Sequence, residues 1–139
     1  MRFRVQINPT SQLLSERGLQ VGGTVQKFID SECMRLMVPY TPMQSGILFK
    51  SAKLGTSIGS GEIVQQAPYA RYQYYGKVML SSRTGSAFAR QGESKVITNN
   101  DLNYNKSKHP LAGAFWFERM KADKKEQILR GARRLAGVR

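Results

Sequence analysis

The 139-residue sequence holds one cysteine, Cys33, and one histidine, His109. A lone cysteine excludes an intramolecular disulfide and a cysteine-built zinc site. Two residues are too small a His/Cys supply for the usual transition-metal centres, so no metal and no cofactor is expected. Acidic residues are scarce, 9 Asp+Glu against 22 Lys+Arg, which excludes an acidic solvating tail. Carboxylate pairs for acid–base chemistry are correspondingly sparse. Asp30 and Glu32 would point different ways on a helix, and Asp123 and Glu126 fall in a charged surface. The glycines of Gly55-Thr56-Ser57-Ile58-Gly59-Ser60-Gly61 lack the Lys-Ser/Thr ending of a phosphate loop. No serine nucleophile elbow occurs, and His109 has no identifiable orienting acid. These absences point away from an enzyme. A metal-independent ribonuclease built from Lys, Arg and Tyr alone is the one catalytic reading left. No apolar run follows Met1-Arg2-Phe3-Arg4, and none approaches the ~18 residues of a membrane span. The expectation is a soluble protein made inside the cell.

What is present is positive charge, a formal +13 at pH 7, and 40% hydrophobic residues, enough for one modest core. The charge is uneven. Residues 77–109 carry six basic and two acidic groups, and residues 110–139 carry eight and three. These two blocks hold +9 of the +13. Such an excess makes contact with a polyanion worth weighing.

Phe3, Val5 and Ile7 alternate with polar residues and predict a short strand ended by Asn8-Pro9. Ser11 can cap a helical turn running to Arg17, with Gly18 at its end. Val21, Val25, Phe28, Ile29, Cys33, Leu36 and Met37 then recur at helical spacing, with Lys27, Asp30, Ser31 and Arg35 on the other side. A helix is predicted from about Thr24, stopped by Pro39. Cys33 on its apolar face reads as a core residue rather than a reactive thiol. Pro39-Tyr40-Thr41-Pro42 predicts a stiff extended connector. Ser45 can cap a short helix at Ile47-Leu48-Phe49, with a strand as the competing reading. Two short strands, at 51–57 and 62–66, would flank the glycine-rich turn.

Pro68 and Gly76 bracket a short helix rich in tyrosine. Tyr69 and Tyr72, three apart, are expected to face the core, leaving Tyr74 or Tyr75 at a surface. Interleaved with Arg71 and Lys77, such rings could stack on bases, but packing in a core and a subunit interface is the simpler reading. Residues 77–109 predict a long loop or hairpin excursion, paired at its base by Val78-Met79-Leu80 and Leu102-Asn103-Tyr104, with Ser81–Asp101 mobile in the free monomer. A second amphipathic helix runs from Ala114 to Leu135, striped by Phe117, Met120, Lys124, Ile128, Ala132 and Leu135. Trp116 near its start is expected half-buried. Basic residues in its last turns complement the helix dipole.

Four segments in order carry a resemblance. They are Val25–Met37 running into Val38-Pro39-Tyr40-Thr41-Pro42; Ser45-Gly46-Ile47-Leu48 with Ser51; Ala67-Pro68-Tyr69-Ala70-Arg71-Tyr72 leading to Tyr74-Tyr75-Gly76-Lys77; and Trp116-Phe117-Glu118-Arg119. In these segments the chain resembles the minor capsid protein family of phages of Gram-positive bacteria, related to phage tail-completion and head–tail joining (neck) proteins. One departure is Gln44-Ser45-Gly46, where that family would lead one to expect an acidic residue and Thr before the Gly. The resemblance implies a single head–tail joining-like domain with an α+β fold. A small antiparallel sheet would pack against two main amphipathic helices, beside one long extended loop. It also implies a structural role in the virion: a homo-oligomeric ring, sixfold by tail symmetry, between the portal side of the head and the tail tube. Partners would be further copies, neighbouring neck or tail proteins, and non-specific genomic DNA in the channel, with no membrane. On that reading Tyr69, Tyr72, Tyr74, Tyr75 and Trp116 are candidate subunit-interface residues. Arg83, Arg90, Lys95, Lys121, Lys125, Arg130, Arg133 and Arg134 are candidate contacts to DNA or an acidic partner. The alternative is a basic nucleic-acid-binding protein, whose footprint would be Arg119, Lys121, Lys125, Arg130, Arg133 and Arg134.

Overall fold

A computed structural model describes residues 1–5, 18, 20–43 and 46–137. The fold is α+β, with two small antiparallel two-stranded sheets and helices. The elements are β1 (Arg2–Arg4), α1 (Thr24–Met37), a 3₁₀ turn (Val38–Tyr40), α2 (Ile47–Gly55), β2 (Glu62–Val64), α3 (Ala70–Tyr75), β3 (Lys77–Ser81), β4 (Lys95–Asp101) and α4 (Trp116–Leu135). The two long helices, α1 and α4, pack against each other. The Ser11–Arg17 turn, Ile7 and the Ser45 cap lie outside the described residues.

α1 starts where its glycines end. Gly23 is the N-cap, and the Gly18 carbonyl accepts from Val25 N–H at 2.9 Å in place of a side-chain cap. Val25, Ile29, Cys33 and Met37 are buried as their spacing predicts. Asp30 is not on the solvent side: it is fully buried. Its Oδ2 accepts the backbone N–H groups of Gly59 at 2.8 Å and Gly61 at 3.1 Å, and its Oδ1 accepts from Gln26 Nε2 at 2.8 Å. Gly59 and Gly61 sit at φ +99 and +79, where a Cβ would be strained, so only glycine turns both N–H groups inward cheaply. The same turn accepts from Gly22 N–H at the Gly59 carbonyl, 2.8 Å, and from Val5 N–H at the Gly61 carbonyl. One carboxylate thereby fixes the turn that enters β2.

β1 pairs with β2 in the register Phe3↔Ile63, both side chains inward and buried. Arg2 and Arg4 point outward to Glu62, at 3.6 and 3.0 Å. Gln65, fully buried just past β2, donates to the Leu48 carbonyl at 3.3 Å and accepts from Trp116 Nε1 at 3.2 Å. It thus joins α2 to α4.

Four sequence expectations change. The stretch given to a strand at 51–57 is mostly helix α2, because Leu48, Ser51 and Ala52 bury at helical rather than alternating spacing. The Pro39 connector begins as a 3₁₀ turn. Val38 stays helical at φ −53, ψ −49 despite preceding proline, and the chain extends only at Thr41. The partner of β3 is β4, at 95–101, not 102–104; Leu102 only closes the base, its N–H donating to the Gly76 carbonyl at 2.9 Å. Of the two readings of the excursion, loop or hairpin, it is the hairpin, with a tip at 82–94. Finally, one predicted sheet is two, since β1–β2 and β3–β4 share no strand.

α1 and α4 approach closely at Gly131, where an added Cβ would lie 2.4 Å from Phe28 Cζ. Two predictions follow from this packing and from Asp30. Asp30→Ala leaves two buried N–H groups without their acceptor and should cost about 3 kcal/mol. The urea midpoint should fall with the m-value unchanged. Gly131→Ala, which in an open helix stabilises by about 1 kcal/mol, should destabilise here. It should regain its stabilising sign in a Phe28→Ala background, measured as a double-mutant cycle.

Candidate functional site

The tyrosine helix divides its rings between core and surface, but not as its spacing suggests. Tyr74 is the core residue, 4% exposed, and Tyr69 is at the surface, 38% exposed. Tyr72 is half-buried and Tyr75 is exposed. Gly76 ends α3 in the left-handed region, with its N–H on the Tyr72 carbonyl at 3.0 Å. Tyr74 meets Trp116 edge-on, centroids 4.8 Å apart, and tilts against Phe3 at 4.8 Å. Phe3 in turn stacks on Phe117, also at 4.8 Å. Trp116 is 0% exposed, so the half-buried expectation is corrected. Tyr74 and Trp116 hold the monomer together and cannot present a surface to a neighbour.

Phe115, which the sequence reading missed, takes a surface place instead. It is exposed, sits edge-on to Tyr75 at 5.9 Å, and holds the left-handed conformation at φ 52, ψ 42. Its N–H donates to the Tyr74 carbonyl at 2.8 Å, which ties α3 to the entry of α4. Only glycine usually signals such a conformation, and no glycine stands there. Tyr69, with Pro42, Ile47, Gln73, Asn103 and Tyr104, lines an uncharged groove of about 460 Å³.

Arg119 belongs to the architecture rather than to a nucleic-acid footprint. Its guanidinium donates to the carbonyls of Ala114 and Leu111, both at 2.8 Å, and of Tyr40 at 3.4 Å. It also lies over the Tyr40 ring at 5.5 Å. Tyr40 Oη donates to Asp123 Oδ2 at 2.7 Å, which raises its pKa above the usual tyrosine value. His109 Nδ1 donates to the Thr41 carbonyl at 2.8 Å, so it too ties the chain before α4 to the 3₁₀ turn.

The basic candidates fall in three places. Arg83, Arg90 and Lys95 lie on the β3–β4 hairpin. Lys121 and Lys125 rim an apolar groove between α1 and α4, with Ile29, Phe117 and Ile128 at its floor. Arg130, Arg133 and Arg134 are exposed near the end of α4. At 100° per residue, Arg130 lies roughly 180° round the helix from Lys121, so these cations make no single stripe.

The hairpin itself is ordered by its own bonds. Ser82 N–H donates to the Ser94 carbonyl at 3.1 Å, and Ser81 N–H to the Ser86 carbonyl at 2.7 Å. Glu93 accepts from Ser81 Oγ at 3.2 Å and from Arg90 N–H at 3.0 Å. Lys77 pairs with Asp101 across its base. Met79 faces Ile97 and Leu80 faces Val96. Successive strand residues point to opposite faces, so each face carries an apolar pair. Ile97 is 61% exposed, and Phe88 at the tip is 86% exposed.

Among the described residues no three His, Cys, Asp or Glu side chains gather as metal ligands, and no helix is long and apolar enough to cross a membrane. Comparison with protein-family models, with curated proteins and with solved structures finds no match.

Burial pushes the Cys33 thiol up to about 12, with Asp30 and Glu32 adding to it. Burial likewise pushes the Tyr74 phenol to about 12, with Glu118 adding. Both groups keep their protons in the folded chain at a pH where the unfolded chain releases them. Their contribution is complete below the ordinary thiol value of 9.0 and is lost as pH rises toward about 12. Urea midpoints should therefore fall across that window, and Cys33→Ala and Tyr74→Phe should each flatten the fall. Iodoacetamide at about pH 9 should label Cys33 only as the chain unfolds.

Proposed function

We propose that this chain is a structural virion protein of a tailed phage, a ring-forming neck or tail-completion component joining the portal side of the head to the tail tube. The observation that carries the reading is the division of the molecule into a closed core and a projecting hairpin. The four segments of the resemblance supply most of that core. Tyr40, Leu48, Tyr74, Trp116 and Phe117 are buried, and Ala67 and Ala70 pack among them. Arg119 fastens the fourth segment to the first through the Tyr40 carbonyl. The residues that such proteins would hold in common are thus accounted for by folding. What remains for a neighbour is Tyr69, Tyr72, Tyr75 and Phe115 on the body, and the apolar hairpin. Exposed apolar surface of this kind is suited to assembly. In the ring, sixfold on this reading, the exposed cations Lys121, Lys125, Arg130, Arg133 and Arg134 meet acidic neighbours or passing DNA without reading its sequence.

The alternative, a nucleic-acid-binding protein acting alone, draws on the same exposed cations. It is weakened by their scatter around α4 and by the structural engagement of Arg119. Duplex titration of the isolated chain at two salt concentrations separates the two readings. Tight binding with a steep salt slope favours the alternative.

The direct test is deletion of the gene from its phage, with electron microscopy of the lysate. DNA-filled heads and unattached tails are expected, and supplying the protein should restore joined particles. Normal virions assembled without it would overturn the proposal.

A further inference from the structure

We propose that the β3–β4 hairpin is an insertion arm whose two apolar faces enter an acid-rimmed cleft on a different protein. The inference deepens the assembly reading above and rests on it. A two-stranded hairpin is marginal in water and is normally stabilised by a third strand or by packing of one face on a body. Among the described residues this hairpin has no third strand. Its apolar pairs are split between its faces, Met79–Ile97 on one and Leu80–Val96 on the other. Packing on a single flat surface would cover only one of them. A cleft covers both.

The faces, rather than the edge, are the recognition element. Between the pairs Lys77–Asp101 and Met79–Ile97 stands one residue of β3, Val78, against 98–100 of β4. The resulting irregularity is occupied by Thr98, whose hydroxyl donates to the Val78 carbonyl at 2.8 Å and accepts from Asn100 N–H at 3.3 Å. Bulges of this kind twist an edge away from continuous strand pairing.

Charge selects the occupant. The hairpin's two acidic groups are engaged internally, Asp101 with Lys77 and Glu93 with Ser81, Arg90 N–H and, at 3.9 Å, Arg83. Lys95 directly precedes Val96 and Ile97 in β4 and Arg90 stands in the tip, so the rim that these cations would meet is acidic. Among the described residues, the grooves of a second copy are a poor match for such a rim. Three grooves on the body are lined by no Asp or Glu, and two of them carry Arg or Lys on their walls.

The experiment uses the full chain against the purified portal ring and the purified tail-tube protein encoded in the same phage, by biolayer interferometry at two salt concentrations. The variants are Val96→Thr/Ile97→Thr, Phe88→Ser and Arg90→Glu/Lys95→Glu. All lie outside the core, and unchanged thermal melting confirms that the body is intact. Expected is a tenfold or greater loss of affinity for one probe in the Val96→Thr/Ile97→Thr variant, with a several-fold loss for Phe88→Ser. The charge reversal should also weaken binding, most at low salt. Wild-type binding that all three variants retain overturns the arm and leaves the assembly reading standing. Wild-type chain that binds neither probe and is missing from virions overturns both. Self-association in sedimentation that Val96→Thr/Ile97→Thr abolishes assigns the hairpin to a second copy and overturns the choice of partner.

Discussion

The fold depends first on a buried carboxylate answering two backbone N–H groups. Among the described residues Asp30 has no ion-pair partner; it is held by Gly59, Gly61 and Gln26. A charged acceptor with several donors is a strong arrangement, and leaving either side unmatched in the interior is costly. The consequence is geometric. The 59–61 turn is fastened to the middle of α1, and its carbonyls receive Gly22 ahead of α1 and Val5 beyond β1. Three distant stretches of chain therefore take their positions from one side chain. With the turn fixed, β2 leaves it in the register that sends Ile63 and Phe3 inward.

The second constraint is aromatic and sits where that register delivers Phe3. Phe3, Tyr74, Trp116 and Phe117 form a contiguous cluster from three elements far apart in sequence. Buried aromatics supply the largest apolar areas per residue, and offset or edge-on contacts between them add about 1 kcal/mol each. Two polar groups keep the cluster from being only a hydrophobic collapse. Gln65 satisfies the indole N–H, and Arg119 satisfies carbonyls of the irregular chain before α4. A lysine in place of Arg119 could not reach three carbonyls and lie over a ring at once, because its charge is a single point.

The legibility of these features follows their range. α1 and α4 could be read because their periodicity repeats over several turns, and repetition averages out single exceptions. Asp30 was one such exception. Helical spacing gives its angle, but nothing local says that a glycine turn 29 residues on will cover it. The tyrosines failed for a related reason. In a six-residue helix, which ring is inward depends on the angle at which α4 arrives, and that is set by Phe115 in a conformation its residue type does not announce. β4 was hidden by composition, because Lys95–Asp101 has two strongly apolar residues and ends in Asn-Asn-Asp. A strand with one apolar residue on each face does not show the one-sided alternation by which strands are recognised. Of the candidate interface, Tyr75 is the ring of the Tyr74/Tyr75 pair that reaches the surface, while Tyr74 and Trp116 are drawn into the core by contacts between elements.

The same exposure explains how stability and recognition are kept apart. The core is closed by Asp30, Gln65, Arg119 and the aromatic cluster, none of which belongs to the hairpin. The hairpin in turn is stitched by local bonds among Ser81, Ser82, Glu93 and Ser94 and by the ion pair at its base. Its apolar side chains stand outside the core cluster, so on the proposed assembly reading their composition is free to follow a partner.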